Sequence, residues 1–317
     1  MHASRGSSGE HPLSSRVAIV TGATSGIGRQ IAFGLARLGA TTVVVGRGEE
    51  RAARVARDIS SATGNPHVDY VGVTDLAVRS EMARLAEECV ERYARIHILV
   101  NNAGGYFARR DATPDGLERT FALNVLAPFV LTSKLGDRLR ESAPARVVNV
   151  ASAAHRGHSV PFNDLQSTTR YSGFAVYGRS KLELILLTRE FSRRFAGTGV
   201  TVNAVHPGFV HSGFAKNNGG GIAIGMSILG TLFGRSVRRG AITPLFVATD
   251  RAIEGVTGEY FSNRKVTRGS DASRDPAAAQ RLFTLCARLS GVNEPPLPKV
   301  PPIRPAPSEN RVSPAAA

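Results

Sequence analysis

The chain has 317 residues, 42% of them hydrophobic, and a formal net charge of +15. This length allows one large α/β domain or two average domains, and the hydrophobic content is that of a soluble globular protein. The two cysteines, Cys89 and Cys286, lie far apart in apolar surroundings, which excludes a disulfide framework and a cysteine metal site and predicts a reducing, cytoplasmic location.

Neither a targeting segment nor a membrane span is predicted. The first residues have no apolar core of the kind that a secretory signal needs, and no later run approaches the roughly 18 apolar residues of a spanning helix. The positive charge comes mostly from arginines scattered along the chain, without a dense basic tract interleaved with aromatics. We therefore predict no nucleic-acid partner, and loose contact with an anionic membrane surface is the more favoured use of this charge.

Both ends of the chain are predicted to be disordered tails. Residues 1–13 are small and polar, and residues 294–317 are rich in proline and lack apolar periodicity. Between them, apolar β-branched runs such as RVAIV, TTVVV, HILV, RVVNV and VTVNAV alternate with helical stretches. This pattern predicts a single doubly wound, Rossmann-type α/β domain over residues 14–293, with a mostly parallel sheet and helices on both faces.

The first strand is followed by a glycine-rich turn, TGATSGIGR, in which Gly22, Gly26 and Gly28 open a helix. Glycines at these positions permit a tight turn and let a pyrophosphate approach the backbone N–H groups at the positive end of the helix. The spacing G-x-x-x-G-x-G differs from the commonest dinucleotide fingerprint. Its place after the first strand of an alternating chain nevertheless predicts a dinucleotide site.

The end of the second strand indicates which dinucleotide is bound. The sequence VVVGRGEE places Arg47 where an acidic residue would bind the two ribose hydroxyls of NAD. Arg29, just inside the first helix, adds a second positive charge. Two guanidiniums near a 2′-phosphate predict NADP(H). The alternative is that Arg47 pairs with Glu49 and Glu50 at the start of the next helix.

Two later segments carry further signals. The sequence YGRSK places Tyr177 and Lys181 one helical turn apart on the same face of a helix. Residues 211–240 combine a triple glycine with an apolar stretch. They are predicted to form a lid over an apolar substrate pocket, although a glycine-hinged helix packed on the core would have the same pattern.

These motifs together resemble the short-chain dehydrogenase/reductase family, from about Ser14 to Val292. The resemblance implies that the active site contains Asn124 from LNVLAPF, Ser152 from VNVAS, and the pair Tyr177 and Lys181. Besides Arg29, Arg47, Tyr177 and Lys181, it implies a set of cofactor contacts from the glycine turn and the strand ends: Gly22, Thr24, Ser25, Gly26, Ile27, Gly28, Asp75, Leu76, Asn101, Ala103, Gly104, Pro207, Gly208, Val210 and Ser212.

The chemistry of the four active-site positions explains their residue types. A phenol has an ordinary pKa near 10, and a neighbouring ammonium favours its phenolate. We therefore expect Lys181 and the charge of an oxidised nicotinamide to lower the pKa of Tyr177, the proton donor in reduction. Ser152 is expected to bind the substrate oxygen, Lys181 to hold the nicotinamide ribose, and Asn124 to anchor a water beside Lys181. The alternatives are that Asn124 only caps backbone groups at a helix bend and that Ser152 only ends a strand.

The stretch between Ser152 and Tyr177 is longer than in the commonest members of the family. Its sequence, with AH after the serine and FNDL before the tyrosine, is similar to the retinol-dehydrogenase-like branch, which implies a lipophilic carbonyl or alcohol as substrate. The histidines His155, His158 and His206 show no ligand spacing, so no metal site is predicted.

We therefore predict an NADP(H)-dependent oxidoreductase that transfers a hydride between nicotinamide and a lipophilic aldehyde, ketone or alcohol, including retinal-like and steroid-like compounds. Two alternatives remain open: a tailoring ketoreductase of secondary metabolism and a non-catalytic NADP-binding regulatory protein. The resemblance also implies a homo-oligomer, and the arginines Arg235, Arg238 and Arg239 beside the apolar stretch favour peripheral membrane contact.

Overall fold

A computed structural model of the protein describes residues 11–208 and 236–293. In these ranges eight strands form one sheet in the order β3-β2-β1-β4-β5-β6-β7-β8. Neighbouring strands from β3 through β7 run parallel, and β8 pairs antiparallel with β7. The strands are Val17–Thr21 (β1), Thr41–Arg47 (β2), Val68–Val73 (β3), Ile98–Asn101 (β4), Ala145–Val150 (β5), Val200–His206 (β6), Tyr260–Ser262 (β7) and Lys265–Val266 (β8).

Helices cover both faces of this sheet. In the described residues they are Gly26–Arg37 (α1), Glu49–Thr63 (α2), Arg79–Arg92 (α3), Arg119–Phe121 (α4), Ala127–Lys134 (α5), Gly136–Glu141 (α6), Gly173–Arg194 (α7), Val237–Gly240 (α8), Ile242–Thr249 (α9) and Pro276–Ser290 (α10). A π-helical turn, Ala122–Leu126, joins α4 to α5. The doubly wound, mostly parallel fold predicted from the sequence is confirmed.

Two apolar layers hold the helices to the sheet. One layer contains side chains of α3, α5, α7 and α10, among them Leu85, Phe129, Leu182 and Phe283. The other contains side chains of α1, α2 and α9. Because both faces of the central strands are buried, these strands are continuous apolar runs rather than alternating ones.

The order of the strands reverses between β1 and β4. Successive connections lead from β1 to β2 and β3 on one side, and from β4 to β5 and β6 on the other. In an open parallel sheet, this reversal leaves a crevice beyond the carboxyl ends of the strands, where ligands bind. The glycine turn after β1 and the segment after β4 both lie at this point.

The predicted tails and lid are only partly described. Residues 11–13, assigned to the N-terminal tail from the sequence, pack on the domain: the Leu13 N–H donates to the Leu38 carbonyl at 2.9 Å. Residues 1–10, 294–317 and 209–235 lie outside the described residues, so the disorder of the tails and the lid remain predictions. At the end of the predicted lid, Ser236 caps the short helix α8, Val237–Gly240. No helix in the described ranges is long and apolar enough to cross a membrane.

Candidate active site

The glycine turn lies at the carboxyl end of β1. Gly22 and Gly26 have φ angles of 65° and 56°, in the left-handed region that favours glycine. A Cβ on Gly22 would lie 2.9 Å from the Ala103 Cα, so the turn also needs glycine to approach the segment after β4. Ser25 precedes α1 without a side-chain capping hydrogen bond. The first amides of α1 thus face the crevice without a side-chain cap, which fits a phosphate group.

Asn102 joins the two strands at the reversal point and was missed by the sequence analysis. Its Nδ2 donates to the Thr21 carbonyl at 2.9 Å. In return, the Thr21 Oγ1 accepts from the N–H groups of Asn102 and Ala103, each at 3.0 Å. The only sequence signal was an amide directly after a buried strand and before a glycine. Asn102 therefore fixes the distance between the end of β1, which leads to Gly22, and the end of β4, which leads to Gly104.

The Asn101 side chain lies inside the protein, and the cofactor contact of this residue remains a prediction. Its side chain is 2% exposed and donates to the Asn149 Oδ1 at 2.8 Å and to the Thr132 Oγ1 at 3.2 Å. It therefore stabilises β4 against β5 from inside the protein, whereas the neighbouring Ala103 and Gly104 reach the crevice.

Two arginines were predicted to bind a 2′-phosphate, and they differ in whether a carboxylate already pairs with them. Arg47 ends β2 and is exposed. Within residues 11–208 and 236–293 it forms no ion pair, so the alternative pairing with Glu49 or Glu50 is not found. Arg29 is exposed as well, but its Nη2 lies 3.0 Å from the Asp58 Oδ2. Arg47 is therefore the less compensated charge at this end of the crevice.

The other predicted cofactor residues of this region lie around the same crevice, with several of their side chains already engaged. The Asp75 carboxylate accepts from the Ala77 N–H at 3.0 Å and pairs with Arg119, while Leu76 is buried. Thr24 packs on the backbone of Gly46 in β2. Ile27 is partly buried against the apolar layer of α1. A dinucleotide would thus meet mainly their backbone and apolar atoms.

Ser152, Tyr177 and Lys181 meet at the carboxyl end of β5. The Ser152 hydroxyl lies close enough to the Tyr177 phenol to lower its pKa, against the larger effect of burial. The Lys181 Nζ lies 5.7 Å from the centre of the Tyr177 ring and donates to the Val150 carbonyl at 2.9 Å. Because α7 carries Tyr177 and Lys181 one turn apart, both reach the crevice from the same face. Ser152 follows β5, and its Oγ accepts from the Ala154 N–H at 3.2 Å. Its contact with the substrate oxygen remains a prediction.

The electrostatic state of this pair differs from the expectation. Burial raises the pKa of Tyr177 to about 12, against a lowering contribution from Ser152. Burial also lowers the pKa of Lys181, which is 4% exposed, to about 8. The protein groups alone therefore hold Tyr177 as a neutral phenol, and the expected lowering of its pKa by Lys181 is not found. Desolvation is the larger of the two effects on this pKa, and the effect of Ser152 only partly opposes it.

Asn124 lies in the π-helical turn, fully buried. Its Oδ1 accepts from the Gly105 N–H at 2.8 Å, and its Nδ2 donates to the Gly105 carbonyl at 3.0 Å and to the Ser180 Oγ at 2.9 Å. A Cβ on Gly104 would lie 3.1 Å from this Oδ1 and 3.3 Å from the Lys181 Nζ. The backbone-capping alternative is thus present, and the water beside Lys181 remains a prediction.

An aromatic wall beside Tyr177 was not foreseen from the sequence. The ring of Tyr106 packs edge-to-face on Tyr177, with centroids 6.4 Å apart. The backbone after Tyr106 is held by Tyr171, whose hydroxyl donates to the Phe107 carbonyl at 2.8 Å. Phe174, one helical turn before Tyr177, is 62% exposed. The sequence signal for this aromatic wall was the pair Tyr106 and Phe107, directly after NNAGG.

The segment after β6 lies at the same edge of the sheet. Val205 pairs with Val150, so Pro207 and Gly208 follow at the level of Ser152, and Gly208 has a φ of 90°. Val210 and Ser212, predicted to contact the nicotinamide, lie outside the described residues. No group of three or more potential metal ligands occurs within the described parts of the chain.

Comparisons with known proteins agree with this geometry. The family model for short chain dehydrogenases matches residues 16–221. Retinol dehydrogenase 13 of Homo sapiens is 37% identical over 294 residues, 90% of this chain and 88% of that protein. Among solved structures, an uncharacterized protein from Mycobacterium Paratuberculosis superposes with a TM-score of 0.73 at 28% identity, over 90% of this chain and 96% of that one.

A second solved structure contains a cofactor. The Pseudomonas aeruginosa RhlG/NADP active-site complex has a TM-score of 0.63 at 29% identity, over 82% of this chain and 97% of that one. Sequence motifs, sheet topology and these relatives lead to the same assignment. The chain belongs to the short-chain dehydrogenase/reductase family of oxidoreductases, in its retinol-dehydrogenase-like branch.

Proposed function

We propose that the protein is an NADP(H)-dependent oxidoreductase that interconverts a lipophilic aldehyde or ketone and its alcohol. The observation that carries this proposal is that Ser152 and Tyr177 lie together at the carboxyl end of β5, with the buried Lys181 Nζ 5.7 Å from the centre of the Tyr177 ring. This group lies at the same edge of the sheet as the glycine turn, where the residues fit a dinucleotide. A protein that only binds a nucleotide does not need this trio.

When bound, the cofactor supplies or accepts the hydride. The residues of the chain handle the proton and the substrate oxygen. The raised pKa keeps Tyr177 protonated at neutral pH, which is the form that donates a proton to the carbonyl oxygen in reduction. Ser152 would donate a hydrogen bond to the same oxygen and orient the carbonyl. Lys181 would hold the nicotinamide ribose through its ammonium.

Replacement of Tyr177 tests the assignment of the acid. We expect Tyr177→Phe to reduce kcat about 10²- to 10⁴-fold, because it removes the transferable proton, while NADPH still binds. Loss of NADPH absorbance with a panel of lipophilic aldehydes and ketones measures the change, and Tyr93→Phe, at the far end of the sheet, is the matched control. Unchanged turnover in Tyr177→Phe would contradict the mechanism. Tight NADPH binding with no turnover in the wild type would favour the regulatory alternative.

The preference for NADP(H) rests on Arg47. Its guanidinium is exposed at the end of β2 with no ion pair among the described residues, as a ligand of a 2′-phosphate requires. The NADP bound to RhlG supports the same cofactor. We expect Arg47→Asp to weaken NADPH binding roughly 10- to 100-fold relative to NADH, since a charge-assisted hydrogen bond is lost. Fluorescence titration with both cofactors measures this ratio, and Arg251→Asp is the control for net charge. An unchanged ratio would remove Arg47 from the site.

A lipophilic substrate is supported by the aromatic wall of Tyr106 and Phe174. An exposed phenylalanine one helical turn from the proton donor offers an apolar surface next to the reacting carbonyl. The relative named retinol dehydrogenase 13 supports the same class. The panel separates a retinal-type reductase from a tailoring ketoreductase, because only the latter would prefer a polar polyketone.

Location and partners complete the proposal. The two cysteines are buried free thiols, as expected in a cytoplasmic protein. Exposed Arg238 and Arg239 adjoin Ile242, which is also exposed, and this patch supports contact with an anionic membrane. Sedimentation with anionic vesicles at low salt tests that contact. Self-association remains a prediction from the family, and light scattering tests it.

A further inference from the structure

His155 lies between the active-site loop and the C-terminal part of the domain, with 0% of its surface exposed. One ring nitrogen, Nδ1, lies 2.7 Å from the Ser152 carbonyl oxygen. The other, Nε2, lies 3.1 Å from the Ser270 backbone nitrogen. Because a backbone N–H only donates, Nε2 must accept, and the ring proton is therefore on Nδ1. The imidazole is therefore neutral and in a single tautomer, and it connects the backbone at Ser152 to the backbone at Ser270.

The backbone around Ser152 has a second set of anchors. The Ala151 N–H donates to the Val205 carbonyl at 2.8 Å, and the Ala153 N–H donates to the His206 Nδ1 at 3.3 Å. These bonds hold the residues before and after Ser152 through their N–H groups. The carbonyl of Ser152 itself is held by His155, through the ring at 2.7 Å and the backbone N–H at 3.3 Å. The peptide plane that follows the serine is therefore held at both ends, by His155 at the Ser152 carbonyl and by His206 at the Ala153 N–H.

The other partner of His155 belongs to the segment after β8. This segment contacts the active-site loop a second time, where the Arg156 guanidinium donates to the Arg268 carbonyl at 2.8 Å. The ring of Tyr260 in β7 packs edge-to-face on His155 at 5.0 Å. A buried imidazole with both nitrogens engaged and one face covered is rigid.

We propose that His155 is a positioning residue: it fixes the Ser152 backbone to the segment at Ser270 and so holds the Ser152 hydroxyl against Tyr177. This inference rests on the proposed role of Ser152. Loss of the His155 ring removes the shortest bond to the Ser152 carbonyl and its link to Ser270, and leaves the weaker bonds at 3.3 Å to hold this peptide. A displacement of the hydroxyl by about 1 Å is enough to reduce turnover strongly. Because His155 is fully buried, we expect neither substrate nor cofactor to contact it and their binding to be retained.

The bridge has a defined dependence on pH. Protonation of Nε2 removes the acceptor of the Ser270 N–H, so only the neutral ring forms both bonds. Burial lowers the pKa of His155, and the charges of Arg156 and His158 add to this effect. The other groups that border the bridge are Tyr260 and, on the segment after β8, the Arg268–Asp271 pair. Since the pKa is lowered, the bridge is intact at neutral pH and is lost as the pH falls through the pKa of the folded state.

The test compares His155→Leu with His155→Gln in the full chain. Glutamine can donate and accept through one side chain, whereas leucine retains the volume but forms neither bond. We expect His155→Leu to lower kcat with a medium-chain aldehyde about tenfold or more, with KM and NADPH affinity within about threefold, and His155→Gln to restore part of the loss. The control is His97→Leu, a buried histidine far from the site, which should lower Tm without changing kcat at a permissive temperature.

Selective ¹⁵N labelling of the histidines gives a readout that does not depend on turnover. The signals lost in His155→Leu should show a protonated Nδ1 and an unprotonated Nε2 in the wild type at neutral pH. The opposite tautomer, or a kcat of His155→Leu equal to that of an active wild type, would overturn the positioning role and leave the proposed function intact. A wild type that reduces no carbonyl would instead overturn the proposed function, and this inference with it.

Discussion

At the scale of single residues, burial decides how His97 behaves. The imidazole lies at the start of β4 with 6% of its surface exposed, and its Nδ1 accepts from the Val17 N–H at 3.1 Å. Burial lowers the pKa of His97 to about 4, helped by the charges of Arg16 and Arg95. The unfolded chain, with an ordinary pKa near 6.5, therefore binds a proton at a higher pH than the native protein does.

The sign of the pH dependence follows. Above pH 6.5 His97 is neutral in both the folded and the unfolded state. Between pH 6.5 and 4 only the unfolded state gains the proton, so the free energy of unfolding decreases as the pH is lowered. The loss amounts to at most roughly 3 kcal/mol at about 1.4 kcal/mol per pKa unit. We expect His97→Gln to flatten this part of the curve in urea unfolding, while the exposed His67→Gln leaves it unchanged. An identical slope in both variants would show that other groups cause the acid sensitivity.

The pKa of Tyr177 illustrates how a residue's chemistry depends on its surroundings. The sequence places Tyr177 and Lys181 on one helical face, which correctly indicates that they meet. It does not reveal how much water reaches them, because burial depends on residues from β5, the π-helical turn and the segment after β4. The neutral phenol therefore could not be derived from the spacing of the pair.

At the scale of elements, a buried ion pair within α7 packs against α10. Glu190 and Arg194 lie 2.7 Å apart with side chains 3% and 4% exposed. The Arg194 guanidinium stacks 3.8 Å from the centre of the Phe283 ring in α10. The Arg194 guanidinium thus pairs with the Glu190 carboxylate and also covers one face of the Phe283 ring. Because α7 also carries Tyr177 and Lys181, this contact supports the base of the active site.

Removal of the Glu190 carboxylate takes the ion-pair partner away from the buried Arg194 guanidinium. We expect Glu190→Ala to lower the free energy of unfolding by about 3–5 kcal/mol, as measured by denaturant unfolding. Glu141→Ala, which removes the exposed partner of Arg138, should cost less than about 1 kcal/mol. A similar decrease in the free energy of unfolding in the two variants would show that the buried Glu190 pair contributes no more to stability than the exposed one.

The segment between Ser152 and Tyr177 shows the limit of sequence reasoning at this scale. Its motif FNDL indicated the branch of the family, but not what the segment does in the structure. The Gln166 Oε1 accepts from the Glu118 N–H at 2.7 Å, Tyr171 holds the backbone next to Tyr106, and Phe162 packs under Arg281. These contacts join residues far apart in the sequence, so no local pattern could predict them.

At the scale of the whole molecule, cofactor binding should stabilise the folded state. A ligand at a hundred times its Kd contributes about 2.7 kcal/mol, which corresponds to a rise in Tm of roughly 5 °C for a chain of this size. We expect NADPH to give this shift and NADH at the same concentration a clearly smaller one, because only NADPH carries the 2′-phosphate that Arg47 is proposed to bind. Differential scanning fluorimetry measures both. Equal shifts would contradict the cofactor assignment without affecting the family.

The sequence alone determined the parallel sheet, the glycine turn and the relation of Tyr177 to Lys181. Each depends on a local pattern: apolar runs buried on both faces, glycines where the backbone turns tightly, and a four-residue spacing on a helix. Tertiary structure alone decided the strand contacts of Asn102, the interior place of Asn101, the pairing of Arg29 with Asp58 and the bridge through His155. These depend on partners brought together by the strand order, and on the exclusion of water that follows from packing.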